Sequence, residues 1–412
     1  MKFYEIGDVQ ILSLRLINKN TQAEMNPADQ ILFIDVYEDF NSPSLYAEIA
    51  FSDGINLLND FPIIGEEQLE ITFLTPGLPN PTTYELFSFS VSNIQINPNG
   101  KEINYLVKFT SKEQIIQSNL VITQSYRENI DVIIRNIFDR YLLTDKILNI
   151  DECRGNEPIS FPKLTPFSSI DMLRQRAVHP RFISSSYVFF ENQDGFNFKC
   201  IEQLIEDNKP LISSKKFYYF SGGKTDRKSE ALTFRNIIEY ENIFKLDVTD
   251  LVQEGGIKNK VRSFDLFTKS VNEVEFDMTK KFNSLVNLDK KNTLPVSDNL
   301  IKNFADRSSF NFFIPKDSNR NSNYLEDMLG SRLSFLKLFN ANVIRIYIPG
   351  DSSVKVGDVI EINLPKSDGT TKRASDQLTP GNYIITRLRH NITTSGKAKH
   401  YISFDCNKVG VS

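Results

Sequence analysis

The chain has 412 residues, enough for about three domains with proper hydrophobic cores. Its 48 basic and 52 acidic residues give a net charge of −4, which excludes the global basic field typical of nucleic-acid-binding proteins. Phe (32) and Tyr (15) are abundant but Trp is absent, which disfavours a carbohydrate-binding surface built on stacked indole rings.

The N-terminal region is predicted to be almost entirely β. Its start, MKFYEIGDVQILSLRL, lacks the continuous apolar segment of a signal peptide, and no stretch of the chain approaches the roughly 20 apolar residues that span a membrane, so we expect a soluble protein. Clusters of Pro, Gly, Asn and Asp separate six alternating runs, which predicts a small antiparallel barrel over residues 1–111. The predicted strands are 9–17, 30–37, 45–51, 68–74, 84–97 and 102–110.

Residues 112–215 are predicted to form a small mixed α/β domain. Apolar residues at helical spacing over 126–143, after a capping box formed by Ser125 and Glu128, predict an amphipathic helix. A second helix is expected over 168–178 with Ser168 as its cap, ending before Pro180. Residues 187–192 and 196–201 predict a hairpin across an Asp-Gly turn at Gly195.

The remainder is β-leaning again, with one interruption. Residues 216–280 and 340–409 predict a second barrel, and 281–339 predict an irregular insertion that ends in a helix over 324–339. The last four strands lie within 342–350, 354–365, 380–392 and 397–409, with Gly350 and Gly357 at turns.

The sequence features that could indicate a phosphate-binding site, a zinc site or a disulfide framework are each incomplete. Residues 220–225 (FSGGKT) end like a phosphate-binding loop, but the required first Gly is Tyr218 and no clear helix follows, so we interpret them as a turn. His179, His390 and His400 have no second ligand at zinc spacing, and the pattern favours His390 and His400 as a cross-strand polar pair. Three widely spaced cysteines (Cys153, Cys200 and Cys406) argue against a disulfide framework and fit a reducing cytoplasm. Cys200 and Cys406 are interpreted as small core residues.

Three segments taken together carry a resemblance to a known family. They are SLYAEIAFSDGINLLNDFPIIGEEQLEITFLTP, then LTPFSSIDMLRQRAVHPRFISSSYVFFENQDGFNFKCIEQLI, then the terminal VIRIYIPGDSSVKVGDVIEINLP…GNYIITRLRHNI…HYISF. In this order they resemble the baseplate central hub protein of T-even-type contractile-tailed phages, a family similar to the trimeric base of phage and secretion-system spikes. The turn and strand positions that match the family are Pro62, Gly65, Glu67, Pro166, Phe167, Gly195, Gly350, Gly357, Asp358, Tyr383 and His390.

The resemblance implies a mainly β fold with α+β parts, in which two related, tail-tube-like antiparallel barrels are joined by smaller α/β domains. It implies a non-enzymatic homotrimer without cofactors or metals, made in the host cytoplasm and located in the virion tail baseplate. The expected partners are a spike protein on the threefold side and the tail tube or a tube-initiator protein on the sixfold side. Baseplate wedge proteins are further candidate partners. DNA would contact the protein only while passing through the central channel.

Two other function classes stay open at this point. A tail-associated cell-wall hydrolase would show a catalytic carboxylate pair or a His-Cys cleft, and neither is recognisable here. A carbohydrate- or receptor-binding tail protein is disfavoured by the absence of Trp. We also expect Gly65 and Gly357 to tolerate no bulky side chain, because each precedes a strand at a sharp turn.

Overall fold

A computed structural model describes most of the chain. The described residues are 5–61, 63, 65, 67–96, 102–219, 234–243, 247–265, 267–288, 310–316, 325–364, 380–394 and 396–409. Pro62 and the 220–225 turn lie outside them. Within them the molecule is mainly β with helical parts, which confirms the predicted fold class.

The first barrel wall contains all six predicted strands, with ends shifted by at most two residues. Strands 46–53 and 68–74 alternate buried and partly exposed residues, because successive side chains point to opposite faces of a pleated sheet. The buried side packs a core that includes Phe51, Phe73 and Phe109. The elements are β1 (Gln10–Asn18), β2 (Ala23–Met25), β3 (Ile31–Asp39), β4 (Tyr46–Asp53), α1 (Leu57–Asp60), β5 (Gln68–Leu74), β6 (Thr82–Ile96) and β7 (Ile103–Thr110).

The mixed domain follows, with a core of its own around Phe138, Phe189 and Phe196. The predicted hairpin is confirmed as β11 and β12. The elements are α2 (Lys112–Ser118), β8 (Ser125–Glu128), α3 (Ile130–Ile137), a π-helical turn (Phe138–Leu142), β9 (Leu148–Ile150), β10 (Glu157–Ser160), α4 (Pro166–Arg176), β11 (Tyr187–Asn192), β12 (Gly195–Cys200), α5 (Ile201–Asn208) and a 3-10 turn (Lys209–Ser214).

Both predicted helix starts in this domain are wrong. The capping box at Ser125 and Glu128 does not form, because these residues belong to β8, which pairs with β10, and Asn129 occupies the N-cap of α3. The second helix begins two residues early, at Pro166. Thr165 caps it by accepting a hydrogen bond from the Ser168 amide, and proline suits the first helical position because it has no N–H to satisfy.

The second barrel wall is closed by strands from two parts of the chain. Its strand order is β13-β20-β21-β22-β19, and residues 236–242 complete the ring because β14 pairs with β13 and β15 pairs with β19. The elements are β13 (Lys216–Tyr219), β14 (Asn236–Ile237), β15 (Glu239–Asn242), β19 (Val343–Pro349), β20 (Val359–Asn363), β21 (Gly381–Thr393) and β22 (Lys399–Asn407).

The segment 216–280 divides in the structure. Residues 258–265 and 270–277 leave the barrel and pair with each other in a separate three-stranded sheet, in the order β17-β16-β18, which packs against the last helix. The third strand, residues 310–316, comes from the region predicted to be an irregular insertion, so that prediction is wrong for these residues, which pair in parallel with 259–265. The predicted last helix is confirmed, with Tyr324 outside the described residues. The elements are α6 (Val248–Gln253), β16 (Lys258–Asp265), β17 (Ser270–Asp277), α7 (Met278–Lys281), a 3-10 turn (Phe282–Ser284), β18 (Phe310–Lys316) and α8 (Leu325–Ala341).

The two barrel walls share the β21–β22 hairpin. The first half of β21 pairs with β20 of the second barrel, and its second half, from Arg387 to Thr393, pairs with β3 of the first. Around the first barrel the order is β1-β5-β6-β7-β4-β3-β21-β22, and Asp8 bridges Lys399 to complete the circuit. The N-terminal strands therefore close through residues near the other end of the sequence.

Candidate functional site

The two barrels and the mixed domain meet around one buried carboxylate, Glu38, at the end of β3. Its side chain accepts hydrogen bonds from the Tyr84 hydroxyl (3.0 Å), the Gln193 amide (3.0 Å) and the Val356 amide (2.9 Å). Burial raises the pKa of Glu38 to about 7, although these hydrogen bonds favour the ionised form. One donor belongs to each of the three bodies, so Glu38 fixes their relative positions. We call this region the junction.

A second buried acid joins the mixed domain to the first barrel. Glu191, on β11, accepts hydrogen bonds from the Leu45 amide (3.0 Å) and the Ser111 hydroxyl, and pairs with Lys146 Nζ at 2.7 Å. Lys146 also contacts Glu113 at 2.8 Å. Burial raises the pKa of Glu191, with Lys146 opposing the rise. A buried acid supplied with this many partners holds segments that are far apart in sequence.

The loop between β19 and β20 lines the third side of the junction. The Thr75 hydroxyl donates to Gly350 O (3.1 Å) and the Thr82 hydroxyl donates to Ser352 O (2.7 Å), which ties this loop to the first barrel. Asn192 Nδ2 donates to Val356 O (3.1 Å), which ties it to the mixed domain. Main-chain carbonyl groups of this loop of the second barrel are therefore hydrogen-bonded by side chains of the first barrel and of the mixed domain.

Three of the family-matching residues lie in this loop. Gly350 donates its amide to His400 O (2.8 Å), and a Cβ at this position would overlap the His400 ring. Gly357 has φ +96°, and a Cβ there would make ordinary contacts with Phe190 at 3.6 Å and Leu204 at 4.0 Å, so backbone strain rather than crowding restricts it. Asp358 is buried, pairs with Lys215 Nζ at 2.7 Å, and has its pKa raised by burial against the effect of that lysine.

The predicted histidine pair forms and lies between the barrels. His390 Nδ1 and His400 Nε2 are 3.0 Å apart, both side chains are fully buried, and both rings pack against Phe73 of the first barrel. Burial lowers the pKa of His390 to about 3 and lowers that of His400 well below its ordinary value. His390 also lies 5.9 Å from the ring of Tyr84, which connects the pair to the junction.

Gly195 and Tyr383 flank this region. Gly195 adopts φ +119° in the β11–β12 turn next to Gln193, and a Cβ there would overlap the Ile147 carbonyl oxygen. Tyr383 is buried on β21 with Lys408 Nζ 4.6 Å from its ring centre.

The other family-matching residues lie away from the junction. Gly65, with φ +119°, donates its amide to Glu67 (3.0 Å), and buried Glu67 also receives the Ser88 hydroxyl. Pro166 starts α4, and Phe167 packs on Phe189 and Phe196 in the core of the mixed domain. These positions shape local turns and cores.

Sequence reasoning missed the residues at the centre of the junction. Glu38 and Glu191 carried a usable signal, because each places an acid where the strand pattern predicts a buried apolar side chain. Their partners, such as the Val356 amide, carried none, because they are main-chain groups brought together by the fold.

The three thiols of the chain lie in its core. All three cysteines are free and buried, and burial raises the pKa of Cys153 to about 12. Among the described residues, no group of three or more His, Cys, Asp and Glu is placed to hold a metal ion. Within the same residues, no helix is long and apolar enough to cross a membrane.

Comparison with known proteins relates the fold to tail proteins. No model of a protein family and no curated protein matches the chain. A tail protein from Neisseria meningitidis MC58 superimposes with a TM-score of 0.54 at 7% identity, over 98% of both chains. The 43 kDa tail protein of prophage MuSo2 from Shewanella oneidensis gives a TM-score of 0.54 at 8% identity, over 97% of this chain and 99% of that one. The chain therefore has the fold of these two tail proteins along nearly its whole length.

Proposed function

We propose that this chain is a structural, non-enzymatic tail protein: the trimeric central hub of a contractile phage tail baseplate. In this role it adapts the sixfold tail tube to the threefold spike and forms part of the DNA channel. The observation that carries the proposal is the pair of barrels in one polypeptide, joined through a shared hairpin. The likeness in fold to two tail proteins over their whole length supports it.

The physical logic is one of symmetry. A closed ring of three copies is truly threefold, yet two similar barrels per copy offer six near-equivalent surfaces to a hexameric tube. That arrangement needs the two barrels of one copy to keep a fixed spacing. The shared β21–β22 hairpin and the buried bonds of Glu38 supply such a constraint.

Sedimentation and electron microscopy of the purified chain test this proposal. We expect a particle of three times the 47.3 kDa chain mass that shows six lobes around a central hole. The same measurement with the threefold spike protein added covers the case in which the spike is needed for assembly. A particle that remains a single chain in both samples would contradict the proposal.

Two further assays address the other function classes. Release of soluble fragments from purified peptidoglycan would identify a cell-wall hydrolase, and binding on a glycan array would identify a receptor-binding protein. For the channel we expect no retardation of linear duplex DNA at about 0.1 M salt, because DNA in transit requires a weakly binding wall. Tight, salt-resistant DNA binding would contradict the proposed channel.

A further inference from the structure

At one place the described wall of the first barrel is closed by far fewer backbone hydrogen bonds than a strand ladder supplies. We call this place the seam: residues 5–8, before β1, lie against residues 397–400 at the start of β22. Its described backbone pairing consists of an isolated bridge between Asp8 and Lys399 and a hydrogen bond from the His400 amide to Gly7 O (2.7 Å). The other junction of the hairpin with this barrel, β3 with β21, is a continuous ladder from Arg387 to Thr393.

Side-chain charges hold the seam instead. Lys397 Nζ lies 2.7 Å from Asp8, and Lys399 Nζ lies 2.9 Å from Asp8 and 3.0 Å from Glu5. The Asp8 carboxylate is only 5% exposed. Burial alone would raise the pKa of Asp8, but hydrogen bonds from Lys397 and Lys399 bring it down to about 2. The contact is strong because the carboxylate is nearly buried between two ammonium groups, and salt weakens it because the Lys397 and Lys399 side chains are 57% and 25% exposed.

The second barrel has no comparable weak point where it uses the same hairpin. Its strand β19 pairs with β22 along its full length, from Val343 to Pro349, and with β15 from Ile344 to Tyr347. Opening this wall would break a ladder of backbone hydrogen bonds, whereas opening the seam breaks few. Local opening follows the lowest free-energy cost, so the seam opens more readily than the β19 edge of the second barrel.

We propose that the seam is an electrostatic latch, at which the first barrel opens locally while the second stays closed. When the latch is released, residues 5–8 and the start of β22 lose the pairing that joins them. The latch is a property of this chain and does not depend on the proposed hub role.

Hydrogen exchange of the full chain, followed by mass spectrometry, tests the latch. In Lys397→Ala/Lys399→Ala we expect the His400 amide, which donates across the seam, and the amides of residues 5–8 to exchange at least tenfold faster, with exchange in β19 unchanged. Arg15→Ala is the matched control, because Arg15 also pairs with two acids, Glu24 and Glu70, on the outer face of β1 away from the seam. We expect no acceleration at His400 or residues 5–8 in this control. Unchanged exchange in the double variant, or equal acceleration in β19, would overturn the proposal.

Two further measurements test the latch without this double variant, in case the variant does not fold. Raising NaCl from about 0.05 to 0.5 M should accelerate exchange of His400 and residues 5–8 severalfold in the unaltered chain, since charges near the surface are screened. A disulfide in Asp8→Cys/Lys399→Cys should slow exchange of the same residues relative to its reduced form. Exchange that is insensitive to both salt and the disulfide would overturn the latch.

Discussion

The two barrels differ in where their closing strands come from. The second barrel is built from β13–β15 and β19–β22, and its described wall is joined by strand pairings, the shortest being the two residue pairs between β13 and β14. The first barrel draws six strands from the N-terminal 110 residues but borrows the β21–β22 hairpin to complete its wall. Long-range closure of this kind is entropically costly, so the first barrel depends on the C-terminal segment far more than the second depends on the N-terminal one.

Ile392→Ala should produce the largest effect and tests this dependence directly. Ile392 is fully buried and belongs to the core of the first barrel, although it lies near the end of the sequence. Loss of its side chain should reduce the free energy of unfolding by about 2–5 kcal/mol, as expected for a large-to-small core change. Amide exchange should accelerate in β4 and β7.

The matched control is Ile360→Ala, a fully buried isoleucine of the second core. Here we expect exchange to accelerate in β19 and β20 more than in β4 and β7. If Ile392→Ala leaves amide exchange in β4 and β7 unchanged, the hairpin does not stabilise the first barrel.

Gly350→Ala should follow in size, because a Cβ at Gly350 would overlap the His400 ring where the two barrels meet. Overpacking of this kind costs about 1–3 kcal/mol, measured as the change in free energy of unfolding with urea. The double variant Gly350→Ala/His400→Ala should recover part of the loss, since the obstructing ring is gone. A Gly350→Ala protein as stable as the parent would show that this loop moves away from His400.

The buried histidine pair predicts a loss of stability in acid. The folded pKa of His390 is about 3, against roughly 6.5 for histidine in an unfolded chain. The unfolded state therefore binds more protons below that pH, and the free energy of unfolding falls as the pH decreases from about 6.5 towards 3. Between pH 6.5 and 5 one such histidine contributes a loss of about 2 kcal/mol.

Glu38 acts in the opposite direction. Its raised pKa, about 7, contributes stability that is complete below its unfolded value and is lost as the pH rises through about 7. The histidine contribution is isolated by comparing the parent with His390→Gln/His400→Gln in urea at pH 7.5 and 5.0. The parent should lose more stability than the variant, and equal losses would exclude the pair as the cause.

The smallest effect is expected for Arg387→Ala, at the ladder between the hairpin and the first barrel. Arg387 pairs with Asp39 at 3.0 Å, but its side chain is 56% exposed. An exposed ion pair contributes below about 1 kcal/mol, so the urea midpoint should shift slightly and the shift should shrink at high salt. A large, salt-independent loss would mean that Arg387 supports the hairpin by packing.

The sequence alone determined the local structure well. Alternation identified the six N-terminal strands and the four C-terminal ones, and Asp-Gly placed the β11–β12 turn, because these signals act between near neighbours. The errors were also local in origin: Ser125 and Glu128 match a helix cap but are drawn into a strand by pairing with residues 157–160. The His390–His400 pair was predictable because one hairpin carries both residues.

Only the tertiary structure decided how the strands are shared. No sequence pattern predicts that the first half of β21 pairs with β20 and its second half with β3. Nor does any pattern predict that Glu38 accepts hydrogen bonds from the amides of residues 155 and 318 positions away. A strand pattern specifies which face is buried but leaves both edges open to any partner. The choice of partner, and with it the fusion of two barrels into one wall, depends on which distant edges the folded chain brings together.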